Sequence, residues 1–145
     1  MILIDTGPLV ALCDPHDSHH DRALDDLEAL ATAPLVTCQA VLTEACFHLP
    51  AALQRKRLDA WINELSIEPL PAERDPSFTR DVFAWLARYA EHEPDWADGC
   101  LAVRSGRELK AKVWTYDREF QTTWRRPDGT SIPLALAHRG ARRRR

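Results

Sequence analysis

Five acidic residues occupy places where a folded chain would gather them. Asp5 is the first polar residue after the apolar run of residues 1–4, and Asp117 closes the mixed run of residues 112–116. In a parallel sheet, ligands collect at the carboxyl ends of the strands, so acids at matching ends of two strands point to a shared site. Either one alone also fits a turn or a helix N-cap. Asp95 and Asp98 follow Pro94. They read as a capping box, Asp95 at the cap and Asp98 at the third helical position. A helix N-terminus also keeps a carboxylate ionised and ready to bind metal. Asp98 shares a helix face with Leu101, Ala102 and Ser105. Glu44 lies among Val41, Leu42, Ala45 and Cys46. It is expected to be partly buried, which is costly without a partner, unless an Arg or solvent takes it up at the edge of the stripe.

The chemistry of this set is that of a hard cation. Four carboxylates, Asp5, Glu44, Asp98 and Asp117, with no matching Cys/His set, favour Mg²⁺ or Mn²⁺ over zinc. Clustered carboxylates repel one another, and one or two divalent ions relieve that repulsion. Such ions activate water and stabilise the leaving oxygen of a phosphodiester. Cys13, Cys38, Cys46 and Cys100 form no C-x-x-C pair and read as reduced thiols packed as small hydrophobes. His16, His19 and His20 have no acid or Cys partner at zinc-like spacing and read as an exposed helix start.

The elements that must position these acids alternate. Short strands are expected at 1–4, 35–38, 67–70 and 112–116, with an edge strand at 132–136. Helical spacing marks 8–12, a segment capped by Asp17 or Ser18, then 39–49, 51–65, 76–92 and 96–109, and the stretch 124–131 reads as a loop. Alternation of this kind implies βαβ units, a mostly parallel sheet of four to five strands and helices on both faces. Trp61, Phe78, Phe83, Trp85 and Tyr89 are expected in the core or in a dimer contact. Trp114 and Tyr116, beside Asp117, are within reach of a nucleotide. Arg118, Arg125 and Arg126 read either as phosphate contacts or as a solvated loop.

The chain has 145 residues, 45% hydrophobic and 28% charged, enough for one domain with a real core. Its net charge is −3, with 19 basic and 22 acidic residues. Arg139, Arg142, Arg143, Arg144 and Arg145 contribute five of the positive charges, which leaves 14 basic against 22 acidic residues, a net of −8, in 1–138. A body so acidic does not bind nucleic acid by charge alone, but it suits carboxylates gathered around divalent metal. The expected organisation is a single domain at 1–138 followed by a basic, disordered tail at 139–145. No signal peptide is visible, and no apolar run approaches the ~20 residues of a membrane span. A cytoplasmic protein is therefore expected.

Four blocks carry a family resemblance. Ile-Leu-Ile-Asp-Thr-Gly-Pro-Leu-Val-Ala-Leu at 2–12 resembles the opening of PIN domains, including VapC-type toxins. Val-Thr-Cys-Gln-Ala-Val-Leu-Thr-Glu-Ala-Cys at 36–46 resembles the segment bearing that family's second acid, Glu44 here. Asp-Trp-Ala-Asp-Gly-Cys-Leu-Ala at 95–102 and Val-Trp-Thr-Tyr-Asp-Arg-Glu-Phe at 113–120 resemble its third and fourth blocks. The resemblance implies a PIN-like three-layer α/β/α fold and a metal-dependent endoribonuclease that hydrolyses RNA phosphodiester bonds, often a homodimer. It also implies the toxin of a toxin–antitoxin pair, with a cognate antitoxin as partner. Asp5 and Asp98 would be the main metal ligands, Glu44 and Asp117 would complete the site, and Asp95 would assist. Thr6, Thr115 and Arg118 would contact the substrate or the metal-bound water. Gly99 departs from the family pattern, where a small helix former such as Ala is usual. The alternatives are a stand-alone RNA-processing nuclease and a non-catalytic PIN-like module that binds RNA or protein. A haloacid-type phosphatase is disfavoured because Asp5 is followed by Thr-Gly rather than by the x-Asp of its motif.

Overall fold

The first strand, β1 (Ile2–Ile4), is buried along its whole length, and its chain turns directly into a helix, α1 (Thr6–Cys13). The computed structural model describes residues 1–30 and 32–137, and the basic segment 139–145 lies outside them. After α1 come α2 (His20–Leu30), β2 (Leu35–Thr37), α3 (Gln39–His48) and α4 (Ala52–Glu64). The second half runs through β3 (Glu68–Pro69), α5 (Pro76–Arg88), α6 (Trp96–Arg107), β4 (Lys112–Trp114) and the short α7 (Glu119–Thr122).

The four strands form one parallel sheet in the order β3-β2-β1-β4. Both β1→β2 and β2→β3 step in one direction, and β3→β4 crosses back to the opposite edge. Right-handed crossovers therefore place α1 to α4 on one face and α5 and α6 on the other. The packing agrees: α1 lies against α2, α3 and α4, and α5 lies against α6. The expected three-layer α/β/α architecture is thus observed, with a four-stranded sheet. Its fully buried centre includes Leu3, Ile4, Leu9, Val41, Val82, Leu101 and Val113. Pro69 is tolerated because β3 is an edge strand, where a missing N–H breaks no ladder on the open side. Among the described residues, no helix is long and apolar enough to cross a membrane.

Two local expectations differ from the structure, and a third is met with a detail the sequence did not show. Residues 132–136 do not make a fifth strand. Leu134 forms a single parallel bridge to Val113, flanked by bonds from Val113 N to Pro133 O and from Ala135 N to Val113 O. Pro133 has no N–H to extend the ladder. The helix expected at 76–92 stops at Arg88 and is followed by a 3-10 turn at Ala90–His92, with Glu93 in the left-handed region. The stretch 124–131 is a loop, but Trp124 at its start is fully buried, with its ring 5.3 Å from Trp85 and 5.4 Å from Tyr89. Of the other aromatics expected in the core or in a dimer contact, Phe78 is buried, whereas Phe83 is exposed and lies edge-on to Trp96 at 4.9 Å.

Gly99 marks the closest approach between α5 and α6. A Cβ there would lie 2.9 Å from Val82 Cγ1 and 3.4 Å from atoms of Leu86 and Trp85. Alanine would gain about 1 kcal/mol of helix propensity over glycine. Overpacking a tight core costs about 1–3 kcal/mol, and Val82 is a fully buried side chain with little room to yield. Gly99→Ala is therefore expected to lower the melting temperature by several degrees. A melt at or above that of the wild type would show that the two helices can separate without cost.

Candidate metal centre

Chain order reverses direction between β1 and β4, which are neighbours in the sheet although they open and close it in sequence. Such switch points in parallel α/β sheets leave a crevice at the carboxyl ends of the strands. A cleft of about 530 Å³ opens there, and its lining includes Asp5, Glu44, Asp95, Asp98 and Asp117. The structure thus brings all five sequence-predicted acids to one cavity.

Each acid is held by its own local structure. Asp5 caps α1, its Oδ1 accepting from Thr6 N at 2.7 Å, while its Oδ2 accepts from the Thr115 hydroxyl at 2.6 Å. The Thr6 hydroxyl donates to Glu44 Oε2 at 2.5 Å, joining α1 to α3. Asp95 and Asp98 form the predicted capping box, with Asp98 N donating to Asp95 at 2.8 Å and Asp95 N to Asp98 at 3.1 Å. Asp117 N donates to the Thr115 hydroxyl at 2.9 Å, and Asp117 Oδ1 accepts from Glu119 N at the start of α7. The two threonines therefore act on the acids rather than standing apart from them. Thr6 also lines the cleft, whereas Thr115 is buried behind Asp5.

The electrostatics are those of crowded carboxylates. Burial raises the Asp5 pKa to about 6, against the hydrogen bonds from Thr115 and Thr6, and Glu44 and Asp95 add repulsion. Burial and then the Asp95 charge raise Asp98 to about 8, with Asp5 and Asp117 contributing. Glu44 is raised as well, first by burial and further by Asp95. Protons substitute for a missing positive charge in such a cluster.

Metal fit follows from this donor set. The groups are all carboxylate oxygens, the ligands of hard divalent ions, and they repel one another, which a cation would reverse. Among the described residues, no three His, Cys, Asp or Glu side chains already stand close enough to hold one ion. One oxygen of Asp5 is tied to Thr115, one of Glu44 to Thr6, and Asp95 and Asp98 are tied to each other's backbone, so these hydrogen bonds set their present spacing.

Other sequence-predicted residues fall elsewhere. Arg118 is exposed and precedes α7, outside the cleft lining. Arg126 is buried and structural, bonded to Ser105 Oγ at 3.0 Å and to Leu109 O at 3.1 Å. Trp114 is buried, whereas Tyr116 is half-buried and faces the cleft. Sequence reasoning missed Asp14, Asp17, His19 and His48 in the lining. His48 had a legible signal, since it stands four residues after Glu44 on α3 and lies 3.7 Å from its carboxylate. His19 had none, because its approach to the cleft depends on the turn between α1 and α2.

The fold and site define an α/β protein with a parallel sheet and an acidic cleft at its switch point. The PIN domain family model matches residues 2–124, and the chain belongs to that family, a family of nucleases. Among solved structures it is similar to VapC20 of Mycobacterium tuberculosis, described as a sarcin-ricin-loop-cleaving toxin. The identity is 21% and the TM-score 0.67, over 84% of this chain and 94% of that one. No curated protein sequence matches.

Proposed function

We propose that this protein is a metal-dependent endoribonuclease, with Asp5, Glu44, Asp98 and Asp117 holding Mg²⁺ or Mn²⁺ and Asp95 assisting. The observation that carries this reading is the convergence of five carboxylates from the ends of β1 and β4, from α3 and from the start of α6 on one cleft. When bound, the ion supplies Lewis-acid activation of water and charge stabilisation at the phosphodiester. The chain's own part is positional. Thr115 holds Asp5 from the β4 side, Thr6 holds Glu44 from α1, and the capping box fixes Asp98 at the mouth of α6. His48 stands beside Glu44 on the cleft wall. The likeness to a VapC toxin supports a role as the toxin of a toxin–antitoxin pair, with RNA as substrate and a cognate antitoxin as partner. The test is incubation of the purified chain with total RNA, with Mn²⁺ and with EDTA. The expected result is endonucleolytic cleavage in Mn²⁺ that EDTA abolishes. Intact RNA in both, or equal cleavage in both, would overturn the reading.

A further inference from the structure

The cleft has a second wall that the metal chemistry does not use. The His19 imidazole stacks on the Tyr116 ring with centroids 4.7 Å apart and planes 19° from parallel. Tyr116 is itself fixed. Its hydroxyl donates to buried Asp26 at 2.9 Å, and the Arg22 guanidinium lies 4.5 Å from its ring centroid while pairing with Asp26 at 3.4 Å. Asp17 orients His19 from the other side, accepting from its backbone N at 2.8 Å and standing 3.7 Å from Nδ1. His19 and Tyr116 line the same cleft as Asp5, Asp98 and Asp117, and the His19 side chain remains 46% exposed.

We propose that His19, backed by Tyr116, is a stacking platform for a nucleobase of the RNA strand next to the bond being cut. This inference rests on the nuclease reading above and deepens it by naming how the substrate is gripped. A flat ring already held on a second ring loses little freedom when a base covers it, and any base has a π-face to offer. Charge favours this contact over a phosphate contact. The described cleft is lined by seven acids, namely Asp5, Asp14, Asp17, Glu44, Asp95, Asp98 and Asp117, and by no Lys or Arg. A phosphate there meets repulsion away from any bound ion, whereas a neutral base does not. The platform therefore supplies affinity that the acidic surroundings cannot.

The test compares the wild type, His19→Ala and His19→Phe in Mn²⁺. The substrate is a single-stranded RNA carrying 2-aminopurine beside a cut site mapped in total RNA. His19→Ala is expected to raise KM about five- to tenfold with kcat within about twofold, and to lose the fluorescence quenching seen on mixing. His19→Phe keeps a stacking ring and is expected to restore both. Unchanged KM and quenching in His19→Ala would overturn the platform while leaving the nuclease reading intact. So would a fall in kcat alone, or a failure of His19→Phe to rescue a folded protein. A wild type that cuts no RNA would instead overturn the nuclease reading, and the platform with it.

Discussion

Asp98→Asn should cut RNA at least about a hundredfold more slowly than the wild type while melting at a higher temperature in the absence of metal. The two effects have one origin. Asparagine keeps the shape and a carbonyl oxygen, so Asp95 N can still donate to position 98 as it does at 3.1 Å. The cap of α6 is therefore retained. What is lost is a carboxyl whose ionisation is resisted first by burial and then by Asp95, with Asp5 and Asp117 adding to it. Without metal that carboxyl burdens the fold, because its ionisation is opposed by its neighbours, and in the proposed site it is a metal ligand. A hundredfold loss corresponds to about 2.7 kcal/mol of transition-state stabilisation, modest for removal of a direct ligand. Asp5→Asn should lose as much activity but gain less stability. Both of its oxygens accept hydrogen bonds, from Thr6 N and from the Thr115 hydroxyl, and an amide can accept only one of them. Cleavage of total RNA, read beside thermal melts, decides both. Full activity in either variant would remove that residue from the metal site, and an unfolded Asp98→Asn would make its role one of capping alone.

In EDTA, the protein should melt several degrees lower at pH 8 than at pH 5.5. Asp98 titrates near 8 and Asp5 near 6, both above the ordinary 3.8. The folded state therefore holds these protons more tightly than the unfolded chain, and stability falls as pH rises wherever the folded state binds more protons. Little is lost below pH 4, where both states are protonated, and the loss is complete above about pH 8. Each unit of upward shift corresponds to about 1.4 kcal/mol. Asp98 is half-buried and partly screened by solvent, so a total on the order of 2 kcal/mol is expected. For a chain of this size that is about 5 °C. Mn²⁺ at pH 8 should restore the melting temperature, because it binds the ionised folded cluster. Asp98→Asn should flatten the pH dependence. A melting temperature that does not fall between pH 5.5 and 8 in EDTA, or that Mn²⁺ leaves unmoved at pH 8, would count against a proton-for-metal exchange in this cleft.

Four of the five acids were legible in the sequence because they lie at or next to the ends of elements, whereas Glu44 lies within α3 and was read from its apolar neighbours. Residues 1–4 are apolar up to Asp5, and Pro94 announces the capping box of Asp95 and Asp98. Strand order follows from the alternation only as far as a parallel sheet. That β1 and β4 are neighbours depends on which direction each crossover takes, and periodicity carries no such information. Trp124 was hidden for a related reason. It stands next to two arginines, a proline and a glycine, all turn or surface residues, and its burial is set by Trp85 and Tyr89 about 40 residues earlier. Gly99 illustrates the opposite error. Composition alone makes a helical glycine a weak point, whereas contact with Val82 makes it the residue that admits close packing. The platform at His19 was missed because its partner Tyr116 lies almost 100 residues away and reaches it only through the sheet.

The hydrogen bond from Thr115 to Asp5 spans 110 positions of the chain. Synthesis proceeds from the N-terminus, and the contacts with the greatest sequence separation form only once both ends exist. A nascent chain that has made β1, α3 and even α6 carries Asp5, Glu44, Asp95 and Asp98, yet it lacks the strand that closes the sheet beside β1 and the hydroxyl that braces Asp5. The cleft is therefore completed only after β4 has been made and the Thr115 hydroxyl has reached Asp5.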